Sequence, residues 1–179
     1  MTLPETLCLS SEHYTPPELI ESARQVMGSI DLDPASSPIA NSVIKAKVFY
    51  TKETNGLDLT NSWEGNVYLN PPGDRTGKLV KAFWERLVNE VLNDNVRAGI
   101  WAGFNTNQLQ SLQRFGIHPL LLPTCVVNKR IPWLGTDLEP QEQPLRANYF
   151  TVITKDSKIE ESFAREFVQY GTVVGPYCP

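Results

Sequence analysis

The sequence lacks any run of about 18 consecutive apolar residues, so no segment reads as a membrane-spanning helix. Cysteine is scarce: Cys8, Cys125 and Cys178 are odd in number, far apart and without a CxxC pair. That usage argues for a reducing cytoplasm and against structural zinc. Histidine is scarcer still, and His13 and His118 have no metal-ligand spacing, so no metal is expected. The first residues, Met1 to Glu5, do not have the basic-then-apolar form of a secretory leader, which again points to a cytoplasmic location. A basic excess is missing too, since 16 Lys and Arg face 20 Asp and Glu for a net charge of −4. Bulk charge therefore counts against a nucleic-acid partner. Local clusters could still act within a screening length of roughly 10 Å. Arg75, Lys78 and Lys81 form one and Lys129-Arg130 another, and both read equally well as solvated surface.

What is present suits a single globular domain over residues 1–179, with 41% hydrophobic and 20% charged residues and no internal repeat or linker. The chain is organised around Val67-Tyr68-Leu69-Asn70-Pro71-Pro72-Gly73. Val67 to Leu69 form a short apolar, β-favouring run. Two prolines then end the strand, because neither can donate to a sheet ladder, and each restricts the residue before it. The product is a stiff loop presenting the Asn70 carboxamide and the Pro71 carbonyl. Two fixed acceptors are what an exocyclic amino group needs. Bonds to its two protons localise a lone pair that is otherwise delocalised into the ring. A single such preorganised partner is worth roughly 10²–10³ in rate. Read as a tetrapeptide alone, Asn-Pro-Pro-Gly is a rigid turn before it is a site, and only the surrounding chain shifts that balance.

Elsewhere, residues 1–14 are aperiodic and read as an arm. Thr15-Pro16-Pro17-Glu18 has capping-box spacing before an amphipathic helix that Gly28 ends. Ile30 to Asp33 reads as a strand, Ile39 to Lys45 as a short helix, Val48 to Thr51 as a strand and Thr54-Asn55-Gly56 as a turn. After the organising strand come a long helix from about Gly77 to Asn93, a strand at Ala98 to Ala102, and a helix from Asn105 to Arg114 ended by Gly116. One or two strands broken at Pro123 are expected within 119–127. The proline-rich stretch 131–145 is a long loop suited to ligand contact. Tyr149 to Thr154 alternates as a strand, Ser157 to Glu160 has capping-box spacing for a last helix, and Thr172 to Val174 reads as an edge strand.

This alternation predicts an α/β fold: a three-layer sheet, mainly parallel, with an antiparallel hairpin near one edge. In such sheets the ligand crevice lies outside the carboxyl ends of the strands. Asp33-Pro34, Asp58, Asn70-Pro71-Pro72 and Trp101 to Phe104 all fall at such ends. Asp33 and Asp58 read either as acceptors for ribose hydroxyls or an adenine amino group, or as capping and turn residues.

Thr15-Pro16, Asp31 to Ser36, Asn41, Gly56-Leu57-Asp58, Trp63 and Asn70-Pro71-Pro72 occur in an order that resembles phage-type DNA N6-adenine methyltransferases, over roughly residues 10–154. The resemblance implies a class I, Rossmann-like methyltransferase fold that uses S-adenosylmethionine and acts on adenine in DNA. It places the cofactor near Thr15, Pro16, Asp33, Pro34 and Asp58, and the target amino group at Asn70, Pro71 and Pro72. It also puts Arg130 to Trp133 near the substrate. Two departures stand out. Gly73 occupies the position where the family's signature has an aromatic residue that stacks on the extrahelical base, and such a stack is worth about 1–3 kcal/mol. Trp101, Phe104 or Trp133 are candidates to supply that face, although each reads more simply as a core residue. No Gly-x-Gly loop follows Asp33. Two further readings stay open at this point: amide or amino methylation of a protein, which the acidic balance suits, and a methyltransferase-like binding protein without turnover.

Overall fold

The structure, a computed structural model, describes residues 13–73, 76–112, 117–141 and 148–176. The amino-terminal arm up to residue 12, Arg75, the helix end expected at 114–116, the 142–145 part of the long loop, Cys8 and Cys178 lie outside the described residues.

The helices begin and end where local chemistry dictates. Helix α1 (Pro17–Met27) starts on Pro17, whose missing N–H would be unsatisfied there anyway, and ends where the Gly28 N–H returns to the Arg24 carbonyl at 2.7 Å. Gly28 has φ +86°, which a glycine adopts without steric cost. The expected capping box does not form: the cap position is Pro16, and the Thr15 hydroxyl bonds to Tyr68 instead. Helix α2 (Pro38–Ile44) is capped by Ser37, whose Oγ accepts from the Ala40 N–H at 3.1 Å. Helix α3 (Lys78–Leu92) buries Val80, Phe83, Trp84, Leu87, Val88 and Val91, the three-to-four spacing of its apolar stripe. Helix α4 spans Asn107–Leu112. In α5 (Ser157–Phe167) the cap is Asp156, one residue before the expected Ser157, because a carboxylate competes better than a hydroxyl for the free Lys158 N–H (3.0 Å).

Seven strands form one sheet: β1 (Leu32–Asp33), β2 (Val48–Phe49), β3 (Gly65–Leu69), β4 (Val96–Gly103), β5 (Thr124–Val127), β6 (Tyr149–Thr154) and β7 (Gly171–Val174), in the order β2-β1-β3-β4-β6-β5-β7. The fold is α/β and consistent with a Rossmann-like arrangement. The sheet is evenly mixed rather than mainly parallel. Pairings β1–β2, β1–β3 and β3–β4 are parallel, whereas β4–β6, β5–β6 and β5–β7 are antiparallel. The expected β5–β6 hairpin exists, but β6 inserts between β4 and β5, and β7 adds a third antiparallel pairing at the edge.

Period-two alternation divides the core into two layers. Tyr68, Ile100, Ala102, Phe150 and Val152 face α1, α2 and α5. Val67, Leu69, Trp101, Tyr149 and Ile153 face α3 and α4. Cys125 is buried with its thiol against the Phe167 carbonyl, and burial pushes it up to about 12. No described helix is long and apolar enough to cross a membrane.

Candidate active site

Strands β1, β3 and β4 run parallel, so their carboxyl ends open on one side of the sheet. Asp33-Pro34, Asn70-Pro71 and Phe104 emerge there. Leu69 is level with Trp101, which puts Asn70 one step beyond, beside Ala102, with Phe104 two residues farther along the same face.

The segment His13 to Pro16 crosses this edge; Thr15 and Pro16 are residues the resemblance implied, whereas His13 and Tyr14 are the part sequence reasoning missed. Tyr14 exchanges two backbone hydrogen bonds with Leu134, each 2.9 Å, which pins the segment against the long loop. Thr15 Oγ1 shares a buried 2.9 Å hydrogen bond with the Tyr68 hydroxyl. The His13 carbonyl accepts from Asn70 Nδ2 at 2.8 Å. Only the amide nitrogen can donate to a carbonyl, so this bond also fixes which way the Asn70 carboxamide faces. Its oxygen is buried and has no partner among the described residues. A buried acceptor without a donor costs about 1–3 kcal/mol, and such an atom at a strand's carboxyl end marks a place for a ligand's N–H or O–H.

Asp33 is the second unusual group. It is 1% exposed, and the Ala35 N–H donates to its Oδ1 at 3.1 Å. Burial pushes the carboxyl up to about 6, with the nearby Ser36 hydroxyl and the Ala35 amide pulling weakly the other way. Ser36 Oγ favours the charged form from close by but makes no aligned hydrogen bond with any described residue. Burial also raises the Tyr68 phenol, and the Asp33 charge adds to that, so Thr15, Tyr68 and Asp33 form one buried polar unit between the two strand ends. Sequence gave no signal for Tyr68 beyond its place in an apolar strand.

The other expected site residues divide. Pro16, Pro34 and Pro71 are buried at this edge, while Pro72 and Gly73 are exposed. A Cβ at Gly73 would enter open space. Asp58 is exposed; its Oδ1 accepts from the Thr60 amide (2.9 Å) and hydroxyl (2.7 Å), and these bonds hold its carboxyl below the usual range. It is a turn residue here, on a loop whose Gly56 lies directly against the Pro34 carbonyl.

Trp101 is a correction. It is fully buried on the α3 face, edge-on to Trp84 (5.2 Å), with Nε1 donating to the Tyr149 hydroxyl at 3.2 Å. Alternation along β4 turns it away from the face that carries Asn70, so it cannot touch a substrate there. Trp133 is also fully buried, tilted against Phe104 at 4.5 Å between ring centroids, and is therefore support rather than surface. Arg130 is exposed, and Lys129 sits over the Tyr170 ring at 4.9 Å.

Comparison with protein-family models, curated sequences and solved structures returns no match. The chemistry of the site therefore rests on its own geometry. A fixed acceptor, a stiff proline loop and a buried carboxyl at neighbouring strand ends are the groups that can bind a ligand rich in N–H and O–H donors and polarise an amino group.

Proposed function

We propose that the chain transfers a methyl group from S-adenosylmethionine to the N6 amino group of adenine in DNA, within a class I methyltransferase fold of the phage type. The observation that carries this reading is the Asn70 carboxamide, anchored through Nδ2 to His13 with its buried oxygen left without a partner among the described residues. Asn70 Oδ1 accepts one amino proton and the Pro71 carbonyl the other. That pairing draws the nitrogen lone pair out of conjugation and stabilises the positive charge that develops on it. Because Pro71 and Pro72 have no N–H, neither proline competes for these acceptors.

The donor set suits the cofactor. Asp33, fully buried beside the Ser36 hydroxyl, is an acceptor for hydroxyl or ammonium protons, and Thr15, Pro16 and Pro34 wall the same strand ends. When bound, S-adenosylmethionine supplies an electrophilic methyl group. Asp58 would reach it only from the neighbouring loop.

The experiment is transfer of labelled methyl to adenine-containing DNA, run beside a protein extract. Asn70→Ala is expected to reduce DNA methylation by at least roughly 10²-fold while cofactor affinity stays within about threefold. Undiminished methylation in that variant refutes the role of Asn70. The net charge of −4 favours a second reading, methylation of a protein amide, and label appearing in the extract but not in DNA would select it.

A further inference from the structure

An unbroken file of rings runs through the protein and surfaces at the Asn70 edge. From the inside outward, Phe167, Phe150, Trp133, Phe104 and His13 follow one another at centroid separations of 5.5, 6.5, 4.5 and 5.4 Å. The first three are fully buried, whereas Phe104 and His13 are only half-buried. His13 touches both partners of the site, its ring against Phe104 and its carbonyl on Asn70 Nδ2.

The outer pair is held in place. Asn148, fully buried, donates from Nδ2 to the Phe104 carbonyl (3.0 Å) and accepts from Trp133 Nε1 (3.3 Å), so one side chain locks both rings. The His13 ring is fixed in turn by Gln141 Oε1 at 2.7 Å. Phe104 keeps part of its ring at the surface, where a flat partner would cover apolar area, and rigid rings lose little entropy on being covered. Beside it stands one buried acceptor whose orientation is set. A planar ring bearing an amino group satisfies both features together, whereas an aliphatic amide satisfies only the acceptor.

We propose that Phe104, backed by Trp133 and flanked by His13, is the stacking surface for the target ring, and that Asn148 is a positioning residue acting through it. This rests on the methyltransfer reading and favours its heteroaromatic amine over the protein amide; the exposed Gly73 position brings no aromatic face of its own to that ring.

The test uses the full chain and a single-stranded oligonucleotide containing 2-aminopurine, whose fluorescence is quenched by stacking. Phe104→Leu is expected to weaken binding roughly 5- to 100-fold and to relieve quenching, the range for loss of one base–aromatic stack. Phe104→Tyr should retain both, and cofactor affinity, unchanged in each variant, controls for folding. Adding Gly73→Tyr to Phe104→Leu should restore part of the binding, which a purely structural role for Phe104 would not allow. Leucine and tyrosine variants that bind and quench like the parent, in a chain that still methylates DNA, overturn the stacking role and leave the methyltransfer reading standing. A parent chain that neither binds the oligonucleotide nor methylates DNA overturns both.

Discussion

Replacing Asp33 with asparagine should make the protein more stable and less functional at once. The carboxyl lies at about 6 in the folded chain against an ordinary 3.8, and burial is the main cause. At about 1.4 kcal/mol for each factor of ten, keeping it ionised in the fold costs about 3 kcal/mol above pH 6. The sign follows from proton counts. Between pH 4 and 6 the folded state holds a proton that the unfolded chain has released, so stability falls as pH rises through that window and is level on either side. Asparagine keeps an oxygen for the Ala35 N–H and has no charge to desolvate. Urea unfolding of both chains from pH 4 to 7.5 should therefore give nearly equal stabilities at the acid end. A gap in favour of Asp33→Asn should open between pH 4 and 6 and level off at about 2–3 kcal/mol, some of the full cost being lost to imperfect mimicry of the acid. Above pH 6, where Asp33 is ionised, the variant should bind S-adenosylmethionine at least about tenfold more weakly, since a charge-assisted acceptor is gone. A gap that is flat with pH, or that favours the parent as pH rises, would refute the reasoning: the carboxylate would then be stabilised in the fold by a partner.

The remaining expectations concern the walls of the site. Gly56→Ala would drive a Cβ into the Pro34 carbonyl, so the loop or the β1 end must shift; weaker cofactor binding and a lower melting temperature are expected, and unchanged cofactor affinity would show that Pro34 is not part of the pocket. Trp101→Phe should cost about 1–2 kcal/mol in urea unfolding, through lost contact with Trp84 and the lost bond to Tyr149, with DNA affinity unchanged; an affinity loss would return Trp101 to the site. Asp58→Asn preserves an acceptor for the Thr60 amide and should leave cofactor affinity within about threefold, whereas a tenfold loss in titration calorimetry would make the carboxylate a ligand.

The sequence by itself determined the local order. Apolar spacing in 78–92 and alternation in 149–154 marked an element correctly because each period has a single burial solution. Prolines and glycines set its punctuation, and strand ends placed Asp33 and Asn70 on one edge, because parallel strands joined by helices must finish on the same side. Tertiary structure decided which neighbours those residues met. Insertion of β6 between β4 and β5 is a long-range pairing that no local pattern encodes, and it made half the pairings antiparallel. The face on which a tryptophan lands depends on strand register, so Trp101 reads as core or as ligand contact in one dimension and is core in three. His13 and Asn148 carry no motif; they matter only because folding brings them 57 and 44 residues along the chain to Asn70 and Phe104.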